Sequence, residues 1–181
     1  FRRVLFRSKG DREDYDMDLL DRYNRGEFFS QDSIHQNEEL IYKTKKGRTV
    51  YGGGGIMPDY FVPVDTTLFT KYHSLLSNKG VLLKVHFQWI DAYREAWTKK
   101  YDDYAVFCKE FELDDTMMQQ LIAEGEKEGV KFDEEEYKKS ESLIKLQLKA
   151  LIARDLWNMN EYYHTINVVN ESVNKAVELL K

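Results

Sequence analysis

One cysteine among 181 residues, Cys108, excludes an internal disulfide framework; on its apolar segment it reads as a buried small hydrophobe. The four histidines, His35, His73, His86 and His164, lie far apart with no second His or Cys at metal-ligand spacing, so no metal site is expected. His86 falls on an apolar helical stripe and reads as a hydrogen-bonded core histidine. No apolar run approaches the roughly twenty residues of a membrane helix, which argues against a transmembrane segment. Basic residues are outnumbered, 27 against 32 acidic, and the net charge of −5 argues against a nucleic-acid partner. What the chain does have is 42% hydrophobic and 14% aromatic residues, enough to bury the core of one domain or two small ones.

Both prolines, Pro58 and Pro63, sit in one stretch that follows four consecutive glycines, Gly52, Gly53, Gly54 and Gly55. A dinucleotide fingerprint counted from Gly52 or Gly53 requires a third small residue at Met57 or Pro58, and a P-loop requires a Gly-Lys pair; both are missing. Nor does a helix follow to hold an anion on its free N–H groups, because Tyr60-Phe61-Val62 between the prolines reads as extended chain. The glycines therefore suit a turn or bulge at a sheet, where positive φ or close backbone approach is needed. Neither a nucleotide nor another cofactor is expected. Asp14, Asp16 and Asp18 alternate as in a calcium loop, but Leu19 stands where that loop needs Gly and Arg25 where it needs Glu.

The pattern changes near Asp65. Before it, residues 9–37 are polar with scattered aromatics, as in an irregular insertion, and Leu40–Lys43 and Arg48–Tyr51 flank a hairpin turn at Lys46-Gly47. After it the periodicity is helical. Asp65, Thr66 or Thr67 is placed to cap a helix to about Asn78, closed by Gly80. The next helix, about 81–100, carries Leu82, Leu83, His86, Trp89, Ile90, Tyr93, Ala96 and Trp97 on one stripe. A short aromatic stretch, 104–111, precedes a helix that starts at Asp114 or Asp115 and ends before Gly129, weakened by about 1 kcal/mol by Gly125 in its interior. Asp133 with Glu136 reads as a capping-box start to the longest helix, about 134–157, which is apolar on two sides. One or two further helices lie between Asn160 and Leu180, broken around 167–170. The periodicity of the Trp and Tyr residues is that of core packing rather than of base stacking.

The segment Arg48-Thr49-Val50-Tyr51-Gly52-Gly53-Gly54-Gly55-Ile56-Met57-Pro58-Asp59 resembles the pattern GR.VYGGGGI.PD..VP.D near the end of the protease core of the carboxy-terminal processing peptidases. These serine peptidases are also called tail-specific proteases, and the likeness is to the type found in Bacteroidota. Lys149–Trp157, with Ala150-Leu151-Ile152-Ala153-Arg154-Asp155-Leu156 inside it, is similar to a helix near the C-terminus of the same proteins. Tyr23–Ser33 resembles the insertion that precedes the glycine run in that branch. The resemblance implies an α+β, mostly α fold: a few β-strands from the end of the protease core in residues 9–65, then a C-terminal helical bundle in 66–181. It assigns Gly52, Gly53, Gly54, Gly55, Ile56, Pro58 and Asp59 a structural role. Phe1–Ser8, FRRVLFRS, is similar residue for residue to the translation of a common sequencing adapter and is set aside as a scar.

By that resemblance the serine nucleophile, the lysine general base and a PDZ domain belong upstream of the glycine run. The substrates of the parent enzyme would be proteins with accessible C-terminal tails, and its place the cell envelope or periplasm. The serines and lysines present here, Ser74, Ser77, Lys79, Lys138, Lys139, Ser140 and Ser142, read as solvated or capping groups, so the expectation is no catalytic residue and no cofactor in this polypeptide. A stand-alone helical protein-interaction module is the other reading left open.

Overall fold

The computed structural model describes residues 17, 20–34, 41–51 and 60–181. Phe1–Ser8, the alternating aspartates, His35 and the motif Gly52–Asp59 lie outside the described residues. The chain is mostly helical with a small two-stranded antiparallel sheet, and it divides into two compact units, Phe1–Asp65 and Thr66–Lys181.

In the first unit, strands β1 (Ile41–Lys43) and β2 (Thr49–Tyr51) pair in the register Ile41 with Tyr51 and Lys43 with Thr49. The loop is Lys45-Lys46-Gly47: Gly47 takes φ 79°, its N–H donates to the Thr44 carbonyl, and the Thr44 N–H donates to that of Arg48. A left-handed residue after a type I turn matches the strand twist, and glycine adopts it without strain. Ahead of the hairpin, a turn over 25–29 is organised by Glu27, which is 7% exposed yet charged. Burial opposes its ionisation, but Arg22 Nε at 2.8 Å and Arg25 Nε at 2.9 Å outweigh it and hold the carboxyl below its usual range.

The second unit holds seven helices among the described residues: α1 (Lys71–Asn78), α2 (Val81–Lys100), α3 (Tyr104–Glu110), α4 (Asp115–Lys127), α5 (Glu134–Leu156), α6 (Met159–Ile166) and α7 (Glu171–Leu180). Six begin on a side-chain cap, Thr70, Asp103, Asp114, Asp133, Asn158 and Asn170, each accepting a first-turn N–H as short polar residues do. Helix α1 starts at Lys71, later than Asp65, Thr66 or Thr67 would place it, and 66–69 forms a turn instead. The start is set from a distance. Glu136 of α5 accepts the Tyr72 N–H at 2.6 Å, and the Thr70 hydroxyl donates to Ser140 Oγ at 3.1 Å. Glu136 is thereby turned away from Asp133, so the capping box at the head of α5 is half made: Asp133 accepts the Glu136 N–H, and the Glu136 carboxylate serves α1. Ser140 is fully buried in this bridge, contrary to a solvated face, while Lys138 and Lys139 do lie outside, paired with Glu134 and Glu135.

Helix α5 packs on α1, α2 and α6, and α4 packs on α2. Leu143, Ile144, Leu148, Ala150, Ile152 and Ala153 of α5 are all buried, so its two apolar rows are both covered. On α2 the buried face is Val81, Leu82, Val85, His86, Trp89 and Ile90. Leu83 and Tyr93, which share a helical stripe with these, stay 46% and 42% exposed because none of the described residues covers that side. Beyond Ile90 only Trp97 is partly covered, with its ring edge-on to Phe111 at 5.2 Å.

Gly125 has a use that outweighs its helix propensity. A Cβ built there meets Leu76 Cδ2 at 2.9 Å, and Leu76 is fully buried, so α1 and α4 approach as closely as they do because that atom is missing. Gly125→Ala should therefore lower stability by about 1 kcal/mol in urea unfolding, since overpacking at roughly 1–3 kcal/mol exceeds the helix-propensity gain of about 1. A net stabilisation would show that Leu76 swings aside freely.

Candidate functional site

Three of the places where polar groups gather inside the second unit can be asked what chemistry they permit. The first is His86, fully buried on α2, with Nε2 3.0 Å from Asp155 Oδ2 near the end of α5. The approach is off the line of a well-aligned hydrogen bond, and among the described residues Nδ1 meets no well-aligned partner, the Leu151 backbone giving the ring only weak support. Burial pushes the imidazole pKa down, the Asp155 carboxylate opposes this less strongly, and the ring is neutral. Asp155 is itself held charged, since Arg154 Nε at 2.8 Å and the His86 contact outweigh its own desolvation. Arg94 Nη1 donates to the Asp155 carbonyl at 2.7 Å, a second tie from α2 to this point. A histidine with no exposed surface offers a substrate no path, so this pair fastens α2 to α5 rather than moving protons.

The second place is the junction of α3, α5 and α6. The Tyr104 hydroxyl lies 2.9 Å from His164 Nδ1 and 2.9 Å from Thr165 Oγ1, and burial pushes its pKa up to about 12. Phe107, fully buried, stacks on Phe111 at 4.6 Å and meets Trp157 at 5.2 Å. Such edge and offset contacts are the arrangement aromatic quadrupoles favour in cores.

The third is a cavity of about 350 Å³ between the extended link after α3 and one face of α5. Phe111, Glu112 and Leu113 form the link side. Ser142, Lys145, Leu146 and Lys149, spaced three and four apart, form the helix side. Lys149 Nζ donates to the carbonyls of Cys108 and Phe111, both at 2.8 Å, and lies 5.6 Å from the centre of the Phe107 ring. These carbonyls terminate α3, where a cation complements the helix dipole. Partial burial nonetheless pushes the Lys149 pKa down. Cys108 is half-buried rather than enclosed, its carbonyl tied to this lysine.

Among the described residues no Ser–Lys pair is hydrogen-bonded as a nucleophile and base would be. The Ser140 hydroxyl donates to the Glu136 carbonyl and that of Ser74 to Thr70, Lys145 is held by Glu141 at 2.7 Å, and Lys149 by its two carbonyls. Among the same residues no cluster of three His, Cys, Asp or Glu side chains is disposed to hold a metal, and no helix is long and apolar enough to cross a membrane. Of the groups that matter here, the sequence placed His86 in the core and marked Lys149 only as the first residue of the Lys149–Trp157 block, with no role; its position opposite the end of α3 has no local signature.

Residues 72–158 match a family of unknown function, DUF8443, a span that runs from the first turn of α1 to the cap of α6; it includes the first and third places, while His164 and Thr165 of the second lie beyond it. No curated protein and no solved structure matches the chain.

Titration of His86 has a readable consequence. Its pKa is lower in the folded state than the ordinary 6.5, so the unfolded chain binds the proton first, and stability is level above about pH 6.5 and falls as pH drops below it. Urea unfolding between about pH 7 and 5 should show that fall in the wild type and a flatter profile in His86→Leu. A wild-type profile already flat over that range would mean the imidazole is not desolvated.

Proposed function

We propose that this chain is the C-terminal portion of a tail-specific serine endopeptidase and that its helical unit is a non-catalytic brace. The observation that carries the reading is the match of Arg48–Asp59, with its four glycines and Pro-Asp, to the end of that protease core, followed in order by the Lys149–Trp157 block. The placement of the block supports the bracing role. Lys149 terminates α3, Ala150, Ile152 and Ala153 are buried, Asp155 meets His86, and Trp157 packs on Phe107. Every one of these is a fastening contact, and none is a free nucleophile or base.

In the parent enzyme a lysine amine, kept neutral by desolvation, would take the proton of a serine hydroxyl that attacks the scissile carbonyl, with a PDZ domain holding the substrate's C-terminus. Those parts are assigned upstream of the glycine run, and the setting is the cell envelope. The second reading, a helical protein-interaction module, is favoured by α7. It has no buried residue and leaves Val173, Val177 and Leu180 exposed along one stripe.

The polypeptide itself should release no peptides from an unstructured protein with an apolar C-terminus, and cleavage blocked by a serine-directed inhibitor would contradict this. Extending the reading frame upstream separates the two readings. A PDZ segment with serine and lysine motifs supports the peptidase, and an unrelated domain supports the module.

A further inference from the structure

The cavity beside Lys149 carries an inference that does not depend on the peptidase reading. We infer that it is a binding site for a small amphiphilic anion, a monocarboxylate whose charged head meets Lys149 and whose apolar body lies on Phe111, Leu113 and Leu146. Two observations lead there. The walls are two-sided in chemistry: Leu146 is half-buried and Phe111 and Leu113 close the floor with only narrow edges free, at 3% and 6% exposed, while Ser142 stands exposed at the rim. The cations are unequal as well. Lys145 is neutralised by Glu141 at 2.7 Å, whereas Lys149 is held only by carbonyl dipoles and a ring face, with no carboxylate in ion-pair contact among the described residues.

A half-buried ammonium without an anion loses hydration that dipoles replace only in part, so an anion delivered to it gains more than it would at a solvated lysine. The lowered pKa of Lys149 agrees with an unmet demand for negative charge. Its surroundings contain one opposing group. Glu112 lines the same cavity, exposed, and acts on Lys149 through space. That carboxylate competes with an incoming anion and sets an upper limit on affinity. The volume of about 350 Å³ lies at the small end of ligand sites, so a short-chain monocarboxylate is the size to test.

The test uses the full chain and three probes of equal length, octanoate, octanol and octylamine, titrated at neutral pH and followed by amide and lysine Nζ NMR. Octanoate should saturate, shift residues 111–113 and 142–149 and raise the Lys149 pKa; octanol should bind about tenfold more weakly and octylamine not at all, one unscreened charge contact being worth roughly that factor. Glu112→Gln should tighten octanoate binding about threefold, because it removes the competing carboxylate. Lys149→Gln should abolish the preference of octanoate over octanol. Because Lys149 also terminates α3, Ser142→Trp at the open rim is the companion variant: it should keep the fold and block all binding. Equal affinity for octanoate and octanol, shifts confined to other residues, no saturation by 10 mM (about −2.7 kcal/mol), or weaker binding in Glu112→Gln would each overturn the assignment.

Discussion

Helix α5 is apolar on two sides, and that makes the second unit what it is. Leu143, Ile144, Leu148, Ala150, Ile152 and Ala153 together leave no single face on which one partner would suffice. Each large aliphatic chain among them gains about 1.5–3 kcal/mol by leaving water. Only helices on both flanks satisfy this, and α1, α2 and α6 provide them. The polar contacts then decide register. Glu136 and Ser140 locate α1 along α5, Asp155 locates α2 through His86 and Arg94, and Lys149 locates the end of α3.

These polar ties share a design that explains why α5 is rich in charge and yet central. Near its start and its middle, a charged side chain reaches off α5 to satisfy backbone groups of another helix, Glu136 to an N–H of α1 and Lys149 to carbonyls ending α3; near its end the direction is reversed, and Arg94 of α2 donates to the Asp155 carbonyl. Helix termini leave orphan donors and acceptors, and a charged partner satisfies them with shorter, stronger bonds than a neutral one. The helix that organises the core thereby also finishes its neighbours. A charged residue spent on structure in this way resembles a site residue in composition, and only its partners reveal the difference.

Much of the helical layout was legible because it rests on local physics. The span of α2, the aspartate caps of α4 and α5 and the break at 167–170 follow from apolar period and short polar capping residues. Two of the misreadings involve choices among chemically equal candidates. Thr66, Thr67 and Thr70 are equally good caps, and the stripes through Leu83 and through Val85 are almost equally apolar. In each case groups far along the chain selected one: Glu136 and Ser140 for Thr70, and the helices packed on α2, α4 and α5 among them, for the Val85 side.

Sequence by itself determined where the chain turns from strand to helix, which residues start most helices, and that His86 belongs inside. Those properties depend on neighbours within a few residues. Tertiary structure alone decided that Gly125 makes room for Leu76, that Ser140 is buried, that Glu136 caps a different helix, and that Lys149 borders a cavity with its ammonium on two backbone carbonyls. Each of these joins groups between about forty and seventy residues apart, and such a meeting exists only once packing has brought the helices together.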